Sequence, residues 1–101
     1  MTPHVRDHIQ RTRNYLANPL HWRKGYSISS LETSFCIVDA IQLKVNYLKG
    51  DTTHIVCDIL REKIHPSSIV SWNDAPERTH ADVIQLLDSC LVSEPNPQPE
   101  V

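Results

Sequence analysis

The sequence predicts an all-α fold, a small single-domain bundle of about four main helices around one core. Apolar residues recur at steps of three and four along four segments, which is the period of one helix face. Only two of the 101 residues are glycine, which is untypical of a fold rich in β-hairpins. A chain of this length with 40% apolar residues is sufficient for one hydrophobic core.

The first helix is predicted at about residues 3–17. Thr2 can cap it, and Pro3 suits the first helical position, where a missing N–H costs nothing. Pro19 ends it, because the residue before a proline is kept out of the α region. The residues spaced along its apolar face are Val5, Ile9, Thr12 and Leu16.

Residues 18–30, NPLHWRKGYSISS, are predicted to be a connector punctuated by Pro19 and Gly25. The segment carries more apolar area than a solvated linker would, so we expect it to pack onto the core. Trp22 is the expected anchor, with its indole N–H bonded to a partner.

Residues 31–49 allow two interpretations. The run FCIV is apolar and partly β-branched, which would suit a buried strand. The spacing of its apolar residues over five turns favours a helix instead, with Ser30 as the cap and Gly50 just past the end. Those spaced residues are Leu31, Phe35, Val38, Ile41, Val45 and Leu48.

A third helix is predicted to start at Asp51-Thr52-Thr53 and to reach about residue 63, where His65-Pro66 ends it. Its expected apolar side comprises Ile55, Val56, Ile59, Leu60 and Ile64. Residues 67–71 are predicted to be coil, because the sequence offers no partner strand for them.

The final helix is predicted to start at Thr79. Asp82 follows three residues later and resembles the second half of a capping box. Just upstream, residues 74–78 can form a single helical turn. The expected buried face comprises Val83, Ile84, Leu87, Cys90 and Leu91. Residues 1–92 are predicted to form the domain, and 93–101, with three prolines, a disordered tail.

Composition favours a cytosolic protein. No apolar run approaches the roughly 18–20 residues of a membrane helix, and the polar N-terminus lacks a signal core, so no membrane association is expected. Residues 1–50 carry a net charge of +4 and residues 51–101 one of −6. We expect the two halves to fold against each other and to neutralise this difference.

Metal binding and nucleophilic catalysis find little support. His4 and His8 share a helix face, and His54 precedes Cys57 by three residues, but neither pair has a third ligand. A solvated histidine pair at the rim of the first helix is expected. Cys36 lies between apolar residues, which raise a thiol pKa, and all three cysteines are expected to be buried thiols. No catalytic residue, metal or cofactor is predicted.

The segment WNDAPERT, residues 72–79, carries the densest polar chemistry. Its asparagine and aspartate can cap turns, Arg78 can pair with a nearby carboxylate, and Trp72 is expected to bury its ring against the final helix. The alternative is a recognition patch. The partner-binding candidates are Trp22, Arg23, Lys24, Trp72, Asn73, Asp74 and Arg78.

Trp22 with Gly25, Cys36 with Ala40, and WNDAPERT with Val83 together resemble an uncharacterised bacterial and phage family. That family has the pattern W-x-x-G, then C-x-x-G-A, then WND-x-P-x-RT-x-x-x-V. The resemblance covers about residues 5–91, with Asp39 in place of the usual glycine before Ala40. It implies a compact domain and no mechanism.

The function expected from these observations is that of a non-enzymatic cytosolic binding or regulatory protein acting through a protein partner. The alternative is a nucleic-acid-associated accessory factor that uses the basic first half. Its basic candidates are Arg6, Arg13, Arg23 and Lys24, with His21 and Trp22 between them. The oligomeric state stays open. Salt distinguishes the two functions, because nucleic-acid binding weakens steeply with salt.

Overall fold

A computed structural model describes residues 1–25, 33–45 and 52–92. The predicted all-α fold is confirmed. The helices are α1 (Pro3–Leu16), α2 (Ile37–Asp39), α3 (Thr52–Ile64), α4 (Ile69–Asp74) and α5 (His80–Val92). A 3₁₀ turn (Pro19–His21) follows α1, and a π-helical turn (Ala40–Lys44) continues α2. The chain forms one small globular unit, and none of the helices in its described part is long and apolar enough to cross a membrane.

The core lies where α1, α3 and α5 pack against one another, and α4 packs against α2 and α3. The apolar face predicted for α1 is buried. The face predicted for α5 is buried except for Ile84, which is only partly buried, and Leu86 is also buried there. On α3 the buried residues are Thr52, Val56, Cys57, Leu60 and Ile64. Ile55, predicted to lie on this face, is 47% exposed. Around the helix axis Ile55 lies about 100° from Val56 and about 140° from Leu60, so it points away from the core.

The ends of α1 and α5 follow the predicted capping chemistry. Thr2 Oγ1 accepts the Val5 N–H at 3.2 Å, and Pro3 occupies the first helical position. At α5 the capping box is reciprocal: Thr79 Oγ1 accepts the Asp82 N–H at 3.2 Å, and Asp82 accepts the Thr79 N–H at 3.0 Å. Both helix starts were predictable because each capping signal links residues only three positions apart.

The helix predicted over residues 31–49 is wrong at its start. Residues 33–36 are not helical, and α2 begins only at Ile37, with Cys36 as its cap. The reason is a pair of backbone hydrogen bonds to the connector: the Phe35 N–H donates to His21 O at 2.8 Å, and the Arg23 N–H donates to Phe35 O at 3.1 Å. This isolated bridge is not a strand. Ser30 and Gly50, the predicted cap and end, lie outside the described residues.

The coil predicted over residues 67–71 is also wrong, because α4 occupies part of it. Ser68 Oγ accepts the Ser71 N–H at 3.1 Å and caps this helix, while Ile69 and Asn73 are buried. The short helical turn predicted at residues 74–78 is therefore displaced towards the N-terminus, where α4 (Ile69–Asp74) ends at Asp74. The predicted tail, 93–101, is outside the described residues.

His8 is buried, which contradicts the solvated histidine pair expected on α1. Its Nε2 lies 3.2 Å from Ile41 O, and its Nδ1 lies 2.8 Å from Thr52 Oγ1. A carbonyl can only accept, so Nε2 carries the proton and Nδ1 accepts from the Thr52 hydroxyl. The π-helical turn leaves the Ile41 carbonyl available to His8, because the Val45 N–H donates to Ala40 O at 2.8 Å and not to Ile41 O. His8 thus joins α1 to the π-helical turn and α3.

Acidification is expected to weaken the fold through His8. Burial, the main cause, lowers the pKa of His8 below 6.5. The unfolded chain then binds this proton at higher pH than the folded chain. The stabilisation is therefore complete above pH 6.5 and is lost as the pH falls below it, towards the lowered pKa. Urea unfolding on either side of that pH measures the effect.

The matched variants are His8→Gln and His54→Gln, since His54 is exposed on α3. His8→Gln should flatten the fall in unfolding free energy below pH 6.5, whereas His54→Gln should retain it. An unchanged pH profile in His8→Gln would contradict this role for the buried imidazole.

Candidate functional site

Asn73, at the end of α4, is fully buried and uses its whole hydrogen-bonding capacity. Its Oδ1 accepts the Trp22 indole N–H at 2.8 Å and the Ile37 N–H at 3.2 Å. Its Nδ2 donates to Arg23 O at 3.1 Å and to Asp74 Oδ1 at 2.9 Å. An amide side chain offers two lone pairs and two N–H groups, so all four are satisfied. Asn73 and these four partners are termed the asparagine clasp.

Asp74 extends the asparagine clasp to the next residues of the connector. Its Oδ1 also accepts the Gly25 N–H at 2.8 Å. Gly25 has φ +80°, a left-handed conformation that favours glycine. Lys24 Nζ donates to Pro76 O at 3.0 Å. Trp22 thus anchors the described part of the connector with the bonded indole expected of it, whereas Leu20 is 80% exposed and does not pack down as predicted.

Asp74→Ala should lower the unfolding free energy by about 1–2 kcal/mol, because the Gly25 N–H and one Asn73 N–H lose their acceptor. Asp58→Ala is the matched control. Asp58 is exposed and pairs with Arg61 one turn away, so its loss should cost less than about 0.5 kcal/mol. Thermal unfolding of both variants measures the difference. Equal melting temperatures would instead favour a recognition role for Asp74.

Trp72 and Arg78 form a stacked pair beside the asparagine clasp. The Arg78 guanidinium carbon lies 3.8 Å from the centroid of the Trp72 ring, and its Nε–H donates to Trp72 O at 2.7 Å. Arg78 was expected to pair with a nearby carboxylate, and the Asp82 carboxylate lies 3.6 Å from Arg78 Nη1. Trp72 packs against the core and is partly buried, with the Arg78 guanidinium over one face of its ring. The backbone carbonyl and the ring fix the guanidinium plane.

An open cleft of about 270 Å³ lies beside this pair, between α3, α4 and α5. Its lining combines an aromatic ring, two cations, one carboxylate, one amide and two aliphatic side chains. The lining residues are Lys63, Ile64, Trp72, Arg78, Asp82, Gln85 and Leu86. Hereafter this is the Trp72 cleft. Sequence reasoning missed Lys63 and Gln85, since only the packing of three helices brings them to the motif.

The remaining basic candidates do not converge on this cleft. Arg13 pairs with Asp88 on α5 at 2.8 Å, and Arg6 Nη1 donates to Leu91 O at 2.7 Å. Both contacts join the first half of the chain to the second half, but of the two only Arg13 with Asp88 pairs opposite charges. Arg23 lies at the asparagine clasp, and its Nε donates to Lys24 O at 3.3 Å.

The three cysteines are free and buried, as predicted. Burial raises the pKa of Cys36, Cys57 and Cys90, so each thiol stays protonated near neutral pH. In the described part of the chain, no group of three or more His, Cys, Asp or Glu side chains is arranged to hold a metal ion.

Comparison with known proteins places the chain in one family. No curated protein and no solved structure matches the chain. A family model of unknown function matches residues 1–91, which include the asparagine clasp and the Trp72 cleft. The sequence resemblance implied a family without a known activity, and the family model confirms this. The chain belongs to the family of unknown function DUF6197.

Proposed function

We propose that this protein is a non-enzymatic, cytosolic binding protein that acts through a protein partner, which it contacts at the Trp72 cleft. The observation that carries the proposal is the stacked pair of Trp72 and Arg78 at an open cleft. Tryptophan and arginine are the side chains most enriched among residues that dominate the energy of protein interfaces.

The surroundings of this pair support a binding role. Asn73 follows Trp72 directly and is held by four hydrogen bonds, which fixes the backbone under the indole. Arg78 is fixed by its bond to Trp72 O, and its side chain is 16% exposed. Both side chains are ordered before binding, so a partner meets little of the usual entropic cost of immobilising them.

The cysteines fit a non-enzymatic role better than a nucleophilic one. A catalytic thiol needs a lowered pKa and access to substrate. Burial raises the pKa of each thiol here and removes it from the surface. This supports the choice of a binding protein over a cysteine-dependent enzyme.

Site-specific photocrosslinking in the native host tests the proposal. A photoreactive amino acid at Gln85, which lines the Trp72 cleft and is exposed, should crosslink one protein reproducibly. The same group at Arg11, exposed on α1, is the matched control and should not. Trp72→Ala should reduce the crosslinked product at Gln85.

Two results would overturn the proposal. One is the absence of a crosslinked protein, or the same products from Gln85 and Arg11. The other is nucleic acid as the main bound species, with an affinity that falls steeply as salt rises. That result would instead favour the nucleic-acid-associated accessory factor.

A further inference from the structure

We infer that the proline-rich tail, residues 93–101, occupies the Trp72 cleft of its own chain and competes there with the partner. The tail thereby regulates the proposed function, on which this assignment rests, by covering the surface proposed for the partner. The family model ends at residue 91, so the tail lies outside the domain that the family shares. Three features point to it: the donors of the cleft, the composition of the tail and the reach of the tail.

The Trp72 cleft is lined by two side chains whose hydrogen-bond donors lack an acceptor. These belong to Trp72 and Gln85. Within the described residues, nothing accepts from the Trp72 indole N–H or from the Gln85 side-chain amide, whereas the Trp22 indole N–H donates to Asn73 Oδ1 at 2.8 Å. Buried indole N–H groups usually find a partner, and Trp72 is partly buried. An occupant that supplies acceptors and few competing donors therefore fits this cleft.

The tail has the composition of such an occupant. Three of its nine residues are proline, which has no backbone N–H. A polyproline II helix makes no internal hydrogen bonds, so its carbonyls can accept from donors such as the Trp72 indole. It has three residues per turn, so prolines at alternate positions lie on three different sides, and one ring at a time faces the cleft. These prolines are Pro95, Pro97 and Pro99.

The tail can reach the cleft from the end of α5. Leu86 and Val92 are six residues apart on this helix, which is about 9 Å along its axis at about 1.5 Å per residue. Nine residues of polyproline II span about 28 Å at about 3.1 Å each. Lys63 marks the path: burial raises the pKa of Cys90, in the last turn of α5, and the nearby Lys63 ammonium opposes this rise. The tail can thus turn back along α5, pass Lys63 and lie beside Trp72.

Tethering makes a weak contact sufficient. Ile64 and Leu86 are each only 8% exposed, so the cleft offers little apolar area and a separate segment of this length would bind weakly. A segment joined to its site by a short linker experiences an effective concentration of about a millimolar. A partner with a larger interface gains contacts outside the cleft and can therefore displace the tail.

Photocrosslinking in the purified full chain tests the position of the tail. A photoreactive amino acid in place of Lys63, an exposed residue of the cleft, should crosslink to residues 93–101 of the same molecule, as located by tandem mass spectrometry. The same group at Arg11, exposed on α1, should not. The proline variant combines Pro95→Ser, Pro97→Ser and Pro99→Ser, and it should reduce the Lys63 product several-fold because serine does not maintain polyproline II. The matched control combines Glu94→Gln and Glu100→Gln and should retain the product.

Nuclear magnetic resonance gives a second readout that changes no residue of the cleft. The signals of the Trp72 indole N–H and of the Gln85 side-chain amide should shift between wild type and the proline variant, because these donors lose their acceptors. The Trp22 indole signal should keep its position, since its acceptor is Asn73 Oδ1. Unshifted Trp72 and Gln85 signals would overturn the inference.

Three crosslinking results would also overturn it: a Lys63 product outside residues 93–101, a product that joins two molecules, or equal yields from wild type and the proline variant. In the native host, the proline variant should raise the yield of the protein crosslinked at Gln85 several-fold, because the tail no longer competes. An unchanged yield would contradict the competition. A partner product without a tail product would support the proposed function and overturn the role of the tail. A tail product without any partner product would count against the proposed function alone.

Discussion

Replacing Asn73 with alanine should lower the unfolding free energy by about 3–5 kcal/mol. The substitution leaves the Trp22 indole N–H, the Ile37 N–H and the Arg23 carbonyl without their partner. A buried polar group that loses its partner costs about 1–3 kcal/mol. Domains of this size are stable by only about 5–15 kcal/mol, so the loss is a large share of the total. Urea unfolding measures it.

Asn14→Ala is the matched control, because Asn14 is exposed on α1 and accepts only from Gln10 at 3.0 Å. Its cost should stay within about 0.5 kcal/mol. Asn73→Asp is an isosteric substitution. It keeps the Oδ1 acceptor but replaces the two N–H donors of Nδ2 with an oxygen that faces Arg23 O and Asp74. A similar cost for Asn73→Ala and Asn14→Ala would show that the asparagine clasp contributes little to stability.

Phe35→Ala should cost a similar amount, about 3–5 kcal/mol, for a different reason. Phe35 is fully buried, and its ring makes a tilted contact with Tyr15 at 6.2 Å between centroids. Alanine removes this packing and leaves a cavity next to the bridge between Phe35 and Trp22. Urea unfolding gives the free energy.

Leu20→Ala is the control for loss of an apolar side chain, since Leu20 is 80% exposed near the same bridge. It should change the unfolding free energy by less than about 0.5 kcal/mol. Phe35→Leu should fall between the two, because it keeps part of the packed volume. If Phe35→Ala behaved like Leu20→Ala, the bridge segment would not be part of the core.

Local signals account for the parts of the fold that were predictable from sequence. Thr2 caps α1 by accepting the N–H of Val5, three residues ahead. The capping box of Thr79 and Asp82 starts α5. Phe35 shows why the segment after the connector was not predictable. Its apolar spacing fits a helix, but its backbone bonds to residues 21 and 23, and no local pattern encodes such a partner.

The site was predictable in composition but not in geometry. The motif pointed to Asn73 and Asp74 as residues that satisfy backbone groups, which they do at Ile37, Arg23 and Gly25. Those groups lie 36 to 50 positions away, whereas sequence reasoning placed them within the turn. Trp72 was expected to bury its ring against the final helix. It packs against the core but is only partly buried, and the guanidinium of Arg78 lies over one ring face.

The asparagine clasp also has a consequence for synthesis on the ribosome. Trp22 and Asn73 are 51 positions apart, and Ile37 and Asn73 are 36 apart. The N-terminal half therefore emerges with an indole N–H and an amide N–H whose native acceptor has not yet been translated. Contacts between distant residues form only after the cost of closing the intervening loop is met. The two halves can complete their packing only once α4 has left the exit tunnel, so a chain truncated before residue 73 should remain a substrate for proteases and chaperones.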